Sequence, residues 1–524
     1  MPMEYFEARE RALLGARYDA LYTPLRQSAE RGVTVSALRC APETFAAQAD
    51  FAMEPSPFCP QGFRVLTEGF KPGRHPYHHA GVFYSQEPSA SSAAPLLGVA
   101  PGMRVLDLCA APGGKSSQLA AALMGQGLLV SNEYVAARAD ILKSNLERMG
   151  VSNAVVLNET PARIAAAYPA FFDRILVDTP CSGEGMFRKE AVAVTQHSPE
   201  LVAQCAALGA DILEAAAAAL APGGVLVYST CTFAPEEDEA QIGRFLSLRP
   251  EFTLLDTMQG VAQPFGSAGE ANRVGDTPYD VALTRRIWPC QGGEGHFIAK
   301  LQKAGQPRSL PAMGEVPTQE ASWLADAIAS TSKAGKGGRK GQGAKAAIQT
   351  ENPRATRRGG REDAHFAGGR GVRTSGKAAH HAGGQVLSGA DALGAWQAFA
   401  AEYFPTLAAK STVLLGESLL LPAPYPQAKL RILRAGVFAG NVAKGRFTPE
   451  HHLFTAFGAL CINQEHLTLT DPRTAIYLAG GEIQAITAQN GWCCVLVDGY
   501  PLGGGKVSGG RVKNHYPKAL RNLK

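Results

Sequence analysis

Short apolar runs alternate with helix-like patterns through the middle of the chain. The runs, which predict strands, cover positions 104–108, 128–131, 154–157, 174–177, 225–228 and 296–301. The helix-like patterns cover positions 116–123, 135–149 and 199–220. Strands and helices that alternate in this way predict an α/β fold with a doubly wound, mostly parallel sheet. Ligands bind at the carboxyl ends of the strands in such sheets, so the residues that follow each strand are the candidates for chemistry.

Composition divides the chain into four predicted parts. A length of 524 residues exceeds what one hydrophobic core usually serves. Between positions 331 and 385 there are 12 Lys and Arg against 3 Asp and Glu, with almost no large apolar residues. Such a stretch predicts a flexible basic linker, which is either an inert spacer or a tether for a polyanion. The predicted parts are 1–100, 101–303, the linker 304–386, and 387–524.

The overall composition is that of a globular protein, with 45% hydrophobic and 19% charged residues and a net charge of +5. No apolar run reaches the roughly 20 residues that a membrane helix needs, and the first residues are acidic where a signal peptide would be basic. The ten cysteines form no Cys-x-x-Cys pair and no zinc-like cluster with histidine. We therefore expect a cytoplasmic protein with free thiols, no membrane contact and no metal.

A glycine-containing loop follows the first predicted strand of the central region. Gly113 and Gly114 allow a ligand to approach the backbone, and the helix that begins there has free N–H groups. A triphosphate-binding loop would need glycine where Cys109 stands, so we interpret the segment 109–115 as another kind of cofactor loop. Glu133 lies 19 residues beyond Gly114, where this topology has an acid that binds ribose hydroxyls; the alternative is a solvated loop acid.

Two further segments bring a cysteine to the end of a predicted strand. Asp178, at the tip of one strand, precedes Pro180 and Cys181 on a glycine-rich turn; its alternative role is to cap a helix. Cys231 follows the strand 225–228, and a lone cysteine there is usually a small buried hydrophobic residue. Two cysteines at the ends of neighbouring strands, both beside the cofactor crevice, favour a nucleophilic role instead.

These segments resemble a known family. The stretches 106–115, 177–189 and 227–237 are closely similar to the cofactor loop, the Pro-Cys motif and the Thr-Cys motif of the Sun/Nop-type RNA (cytosine-5) methyltransferases. The stretches 84–90, 293–297, 497–503 and 513–518 are similar to the bacterial, RsmF-like branch that acts on 16S ribosomal RNA. The resemblance implies a Rossmann-like class I S-adenosylmethionine-dependent methyltransferase fold. It also implies a small N-terminal α+β RNA-binding segment and a C-terminal α+β (PUA-like) RNA-binding domain.

The resemblance also implies a role for each candidate residue. Cys231 would attack carbon 6 of cytosine, Cys181 would resolve the covalent adduct, Asp178 would bind the cytosine edge, and Lys115 would lie near both ligands. The residues implied to bind S-adenosylmethionine are Cys109, Ala110, Ala111, Pro112, Gly113, Gly114, Lys115, Glu133, Arg138, Asn158 and Asp178. Glu159 and Thr160 are rivals of Asn158 for the contact with the adenine.

The expected partner is RNA, most of all 16S ribosomal RNA, free or in the small subunit, and the expected state is a monomer. The target cytosine must leave its stack, because a stacked base does not expose carbon 6 to a thiolate. Candidate RNA surfaces, each alternatively a solvated basic face, are 71–77, 429–434, 444–446 and 506–524. The stretch 34–39 departs from the pattern usual in relatives. The alternatives are a transfer RNA methyltransferase and a non-catalytic RNA-binding factor of ribosome assembly.

Overall fold

The computed structural model describes residues 2–311 and 389–521, except Gln27, Asp276, Pro278 and Gln427. Most of the predicted basic linker, from position 312 onward, lies outside the described residues.

The N-terminal region begins with two helices and continues as a small antiparallel sheet with two short helices between its strands. The helices are α1 (Pro2–Leu14), α2 (Arg17–Tyr22), α3 (Pro42–Gln48) and α4 (Pro76–His79). The strands are β1 (Gly32–Val35), β2 (Met53–Pro55), β3 (Gly62–Val65) and β4 (Phe83–Ser85), in the order β2-β3-β1-β4. A short helix, α5 (Ala93–Leu96), leads into the central region.

The central region is a large mixed sheet with helices between its strands. Its strands are β5 (Arg104–Asp107), β6 (Leu128–Asn132), β7 (Ala154–Leu157), β8 (Phe172–Asp178), β9 (Leu220–Thr230), β10 (Phe252–Leu255), β11 (Ser267–Ala268), β12 (Arg285–Ile287) and β13 (His296–Lys303). Its helices are α6 (Gly114–Leu123), α7 (Ala136–Arg148), α8 (Pro161–Ala167), α9 (Ala191–Gln196), α10 (Pro199–Ala219) and α11 (Glu239–Leu248). All six strands predicted for this region are present.

The order of the strands creates one crevice for a ligand. Strands β7, β6, β5, β8 and β9 are neighbours in that order and run parallel, while β13 pairs antiparallel with β9 and also with β10 and β12. The chain moves from β5 to β6 on one side and later returns to β8 on the other side. The topological switch point therefore lies between β5 and β8, where doubly wound sheets bind ligands.

Helix α10 has the length and composition of a membrane span. Among the described residues it is the one helix that is long and apolar enough to cross a membrane. The sequence did not predict this, because no uninterrupted apolar run in it is long enough. Its Ile212 and Leu213 are buried in the same core as β8 and β9. The helix is the crossover between these two parallel strands, so its apolar face belongs to the core.

The C-terminal region contributes two further sheets. Its helices are α12 (Gly389–Tyr403), α13 (His451–Phe457) and α14 (Pro472–Leu478). Its strands are β14 (Val413–Leu415), β15 (Ser418–Leu421), β16 (Ile432–Ala435), β17 (Val437–Ala443), β18 (Arg446–Pro449), β19 (Gln464–Leu467), β20 (Ile483–Gln484), β21 (Gly491–Val497), β22 (Tyr500–Ser508) and β23 (Arg511–Asn514). The sheet orders are β14-β15-β17-β18 and β19-β21-β22-β23-β20. Cys493 and Cys494 are buried in β21.

Strand β16 leaves its own region and pairs antiparallel with β7, so it extends the edge of the central sheet. Arg434 on this strand forms an ion pair with Glu147 of α7 at 2.5 Å. The stretch 429–434 was a candidate RNA surface. Within it, this arginine is instead engaged in holding the C-terminal region against the central sheet.

Candidate active site

The predicted cofactor loop follows β5 at the switch point of the sheet. Gly113 adopts φ +114°, a backbone conformation that a side chain disfavours, and α6 begins at the next residue. The amide of Asn145 and the hydroxyl of Tyr84 donate to the Pro112 carbonyl oxygen at 2.8 and 3.2 Å. The loop is therefore held from α7 and from β4, and the first N–H groups of α6 face the crevice end of the sheet.

Glu133 directly follows strand β6 and lies beside this loop, as its position in the sequence predicted. Its side chain is only 6% exposed, and Arg138 lies 3.3 Å away. The same arginine donates to the Ala111 carbonyl oxygen at 3.0 Å. Arg138 therefore joins the acid at the end of β6 to the loop that follows β5, which brings two of the predicted cofactor residues together.

The three candidates at the end of β7 all have partners within the protein. The side-chain amide of Asn158 donates to the carbonyl oxygens of Glu133 and Tyr134 at 2.8 and 2.7 Å. Glu159 lies 2.8 Å from Arg163 and accepts from the backbone N–H of Arg431. Thr160 caps α8. Asn158 thus shapes the turn that carries Glu133, and the residue that meets the adenine stays a prediction.

The two cysteine segments meet at the ends of the neighbouring parallel strands β8 and β9. The Sγ atoms of Cys181 and Cys231 lie 3.4 Å apart. The contact with Cys231, together with burial, raises the pKa of the Cys181 thiol well above its ordinary value. Cys181 is therefore a neutral thiol at physiological pH, next to the sulfur of Cys231.

Asp178 lies between the cysteines and the cofactor loop. One carboxylate oxygen accepts from Lys115 Nζ at 2.8 Å, and the other accepts from Ser229 Oγ at 2.8 Å. Burial opposes the charge, but the nearby ammonium group of Lys115 outweighs it and holds the pKa of Asp178 below its ordinary value. Burial alone would lower the pKa of Lys115, but the attraction of Asp178 and its hydrogen bond, with smaller contributions from Cys231 and Asp107, together raise it. The pair is therefore ionised.

Sequence reasoning missed the contacts that lock the two cysteine loops to each other. Ser182 Oγ lies 2.7 Å from Thr232 Oγ1, and the Ser182 backbone N–H donates to Glu237 at 2.9 Å. Burial raises the pKa of Glu237 to about 7. Ser182, Thr232 and Glu237 lie in the stretches 177–189 and 227–237, close in the sequence to the two cysteines. That closeness was the signal from which these contacts could have been predicted.

A second set of contacts joins the cysteine loops to helix α1. Glu184 accepts from the Phe233 backbone N–H at 3.0 Å, forms an ion pair with Arg9 at 2.7 Å and is hydrogen-bonded to His197 Nε2 at 2.7 Å. Although burial opposes the charge, the hydrogen bond from His197 and the proximity of Arg9 lower the pKa of Glu184 to about 2. One buried carboxylate therefore fixes both loops and the N-terminal helix together.

The groups around the crevice fit S-adenosylmethionine. The carboxylate of Glu133 suits two ribose hydroxyls, and the free N–H groups at the start of α6 suit a carboxylate. Asp107 is the last residue of β5, directly before the loop, and its Oδ1 is buried with no hydrogen-bond partner among the described residues. The crevice thus offers acids for hydroxyl and ammonium groups and N–H donors for an acid.

Three family models match successive parts of the chain. An N-terminal domain of 16S rRNA methyltransferase RsmF matches residues 1–88, the 16S rRNA methyltransferase RsmB/F model matches 94–302, and the methyltransferase RsmF PUA domain matches 464–522. Each of these three regions is therefore similar to the RsmB/F methyltransferases. The resemblance stated from the motifs is confirmed, and so is the predicted fold class with its N-terminal segment and C-terminal PUA domain.

Several curated proteins resemble the chain over part of their length. Proteins named ribosomal RNA small subunit methyltransferase F from Pectobacterium atrosepticum and Vibrio vulnificus are each 36% identical, over 56% and 57% of this chain. The chain spans 60% and 63% of the length of these two relatives. A crystal structure of a methyltransferase homologue from Pyrococcus horikoshii is 28% identical with a TM-score of 0.51, and the match covers 57% of this chain and 95% of that one.

Proposed function

We propose that this protein transfers a methyl group from S-adenosylmethionine to carbon 5 of cytosine in RNA, most of all in 16S ribosomal RNA. The observation that carries the proposal is the pair of sulfur atoms of Cys181 and Cys231, 3.4 Å apart beside the cofactor loop. Carbon 5 of cytosine is a poor nucleophile, so this chemistry needs a group that first adds to carbon 6, and a thiolate suits that task.

Cys231 is the nucleophile in this proposal. Its thiolate adds to carbon 6, and the electron pair of the 5,6 double bond then makes carbon 5 nucleophilic. The bound cofactor supplies an electrophilic methyl group on a sulfonium. Loss of the carbon 5 proton to a base and cleavage of the bond between carbon 6 and sulfur restore the aromatic ring and free Cys231. Cys181, whose Sγ is 3.4 Å from that sulfur, is close enough to assist this last stage.

Asp178 and Lys115 hold the ring in this proposal. The ionised carboxylate of Asp178 accepts a hydrogen bond from the cytosine edge, and a proton on ring nitrogen 3 shared with it offsets the charge that sulfur addition creates. Lys115, 2.8 Å from the same carboxylate, keeps it ionised until the base arrives. Glu133, Arg138 and the loop 109–115 bind the cofactor.

The regions on either side of the central sheet bind RNA in this proposal. Within the candidate surfaces, Lys71 and Arg74 are exposed near the N-terminal sheet, and Lys506 and Lys513 are exposed on the C-terminal sheet. Lys506 Nζ lies 5.5 Å from the ring centroid of Trp492, which is a pairing of cation and aromatic ring suited to single-stranded RNA. We infer from the ribosomal substrate and the free cysteines that the enzyme acts in the cytoplasm.

The proposal is tested by methyl transfer from labelled S-adenosylmethionine to three purified substrates. These are free 16S ribosomal RNA, assembled small subunits and bulk transfer RNA, and the Cys231→Ala variant is the inactive control. We expect label at carbon 5 of cytosine in one ribosomal form only. Label in transfer RNA alone would show a different substrate, and no label in any RNA would favour a non-catalytic binding factor.

A further inference from the structure

His296 is a buried polar residue that the reaction described above does not use. It is the first residue of β13, and its side chain is 2% exposed. Neither ring nitrogen has a hydrogen-bond partner within the part of the chain that the structure describes. Buried polar groups are nearly always hydrogen-bonded, so an exception of this kind needs a physical reason.

The position of His296 relative to Asp178 supplies a physical reason for the missing hydrogen bond. Its Nε2 lies 3.8 Å from Asp178 Oδ1, which is just beyond hydrogen-bond distance. That oxygen already accepts from Ser229, and a carboxylate oxygen can accept a second bond. The register of β13 against β9 pairs Phe297 with Thr230, so His296 lies across from the start of the Cys231 loop. A shift of about 0.8 Å would complete the bond.

The imidazole of His296 is neutral although charged groups of both signs face it. They are Lys115 and Asp178 in the site and Glu87 in the loop after β4. Burial, and then the nearby Lys115 ammonium group, lower the pKa of His296 to about 4. A neutral imidazole still has one N–H donor. It can therefore bind Asp178 without placing a second positive charge beside Lys115.

We propose that His296 is a positioning residue that donates a hydrogen bond from Nε2 to Asp178 when the target base enters the site. This inference rests on the proposed function. The incoming base competes with Lys115 for the carboxylate, and His296 then holds Oδ1 while the rest of the group turns to the ring. The bond that is missing in the free protein is made in the complex, where the orientation of the carboxylate matters most.

A second histidine provides a matched control. His451, at the start of α13, is half-buried, but both of its ring nitrogens are buried and have no hydrogen-bond partner among the described residues. Its nearest aromatic neighbour is Tyr516, at a centroid distance of 5.2 Å, in the C-terminal region. An imidazole with buried ring nitrogens and no partners therefore occurs elsewhere in the chain, and proximity to Asp178 is what distinguishes His296.

The test compares four full-length proteins: wild type, His296→Phe, His296→Gln and His451→Phe. We expect His296→Phe to lower kcat for RNA methylation by about tenfold to a hundredfold, the range for a hydrogen bond to a charged group, while cofactor affinity stays unchanged. His296→Gln should recover most of kcat, because its amide nitrogen reaches nearly the same point as Nε2. His451→Phe should keep the kcat of the wild type.

Two results would overturn the inference while the wild type remains active. One is an unchanged kcat in His296→Phe. The other is a His296→Gln variant as slow as His296→Phe with the same fall in Tm, since that would mean a packing role. A wild type that methylates no RNA contradicts the proposed function itself, and the inference falls with it.

Discussion

Two carboxyl groups at the ends of neighbouring strands differ sharply in ionisation. Asp178 touches a lysine and a serine hydroxyl, and its pKa falls despite burial. Asp107 accepts one hydrogen bond from Ser116 at 2.7 Å, and burial raises its pKa from 3.8 to about 7. The difference arises because only Asp178 has a cation in direct contact. Direct partners, and not position on the sheet, therefore set the charge of each acid.

The raised pKa of Asp107 predicts a measurable dependence of stability on pH. As pH rises from about 4 to about 7, the carboxyl ionises in the unfolded chain before it ionises in the folded protein, so the free energy of unfolding falls. The shift of about 3 pKa units corresponds to at most about 4 kcal/mol. Asp107→Asn should remove most of this fall and be more stable than the wild type at pH 8, as measured by urea denaturation across this range.

The control for this prediction is Asp140→Asn, which removes an exposed carboxylate from α7. It should leave the dependence of stability on pH as it is in the wild type. If Asp107→Asn followed the wild type at every pH, the buried carboxyl would carry no penalty and our interpretation of its pKa would be wrong.

Single residues were predictable from the sequence where a motif fixes both a strand end and a side chain. Cys181 and Cys231 follow adjacent strands, and their sulfur atoms do meet. Asn158 was less predictable, because its amide binds the carbonyl oxygens of Glu133 and Tyr134 across a turn. The sequence singled out His296 only as a member of the stretch 293–297. Its lack of a partner depends on packing, which no local pattern records.

At the scale of elements, the site depends on how closely three loops approach. Gly185 lies where a Cβ would come within 2.9 Å of the Cys231 carbonyl oxygen and 3.0 Å of the Gly295 carbonyl oxygen. Its backbone N–H donates to the Cys231 carbonyl oxygen at 2.8 Å. The loop after β8 can therefore lie against the loop after β9 only if this position has no side chain.

Gly185→Ala should therefore push the two cysteine loops apart. Displacement of a reacting group by about 1 Å can cost about a hundredfold in rate, so we expect a loss of that order in methyl transfer with cofactor binding retained. Gly394→Ala on α12, where nothing lies within 4 Å of the added Cβ, is the matched control and should stay fully active. An active Gly185→Ala variant would contradict the requirement for close loop contact.

Elements were predictable where the pattern is local. The six predicted central strands and the three predicted helices are present, whereas α8, α9 and α11 were not predicted. Strand β9 begins at Leu220 and not at position 225, because its first residues are ordered by pairing with β8. Strand β16 was missed, because its partner β7 lies far away in the sequence.

At the scale of the whole molecule, the N-terminal and C-terminal sheets share one apolar core. Val33 and Phe45 from the first region and Tyr477 and Val495 from the last belong to the same buried cluster. Three polar contacts join the same surfaces: His79 to Tyr516 at 2.7 Å, Tyr77 to Asp498 at 3.0 Å and Tyr500 to Gln48 at 2.8 Å. The two predicted RNA-binding regions therefore form one body.

This shared core predicts coupled stability. Tyr516→Ala in the C-terminal region should destabilise the N-terminal strands β1 and β4 by about 3 kcal/mol or more, since a large buried aromatic side chain is lost. Hydrogen exchange of the full chain measures this as faster exchange of their amides. Phe399→Ala, in a neighbouring cluster that contains no residue of the N-terminal sheet, is the control. Equal exchange of β1 and β4 in both variants would mean that the sheets are not specifically coupled.

The order of the regions could be predicted from composition, but their packing could not. The contacts between the first and last sheets join residues more than 400 positions apart, as for Tyr77 and Asp498. Such contacts depend on how folded domains pack against one another, and the hydrophobic pattern within one element does not predict that packing. The division of the chain into four parts stays a prediction. Strand β16 belongs to the last of these parts but pairs with β7 of the second.

The most direct test of the account is the covalent adduct between Cys231 and RNA. Cys181→Ala should accumulate a complex with substrate RNA that survives denaturation, because the nucleophile is present while the residue proposed to resolve the adduct is missing. Mass spectrometry of the digested complex should find the nucleotide on Cys231, and Cys181→Ala/Cys231→Ala should form no complex. An adduct on another residue, or full methyl transfer by Cys231→Ala, would contradict the account.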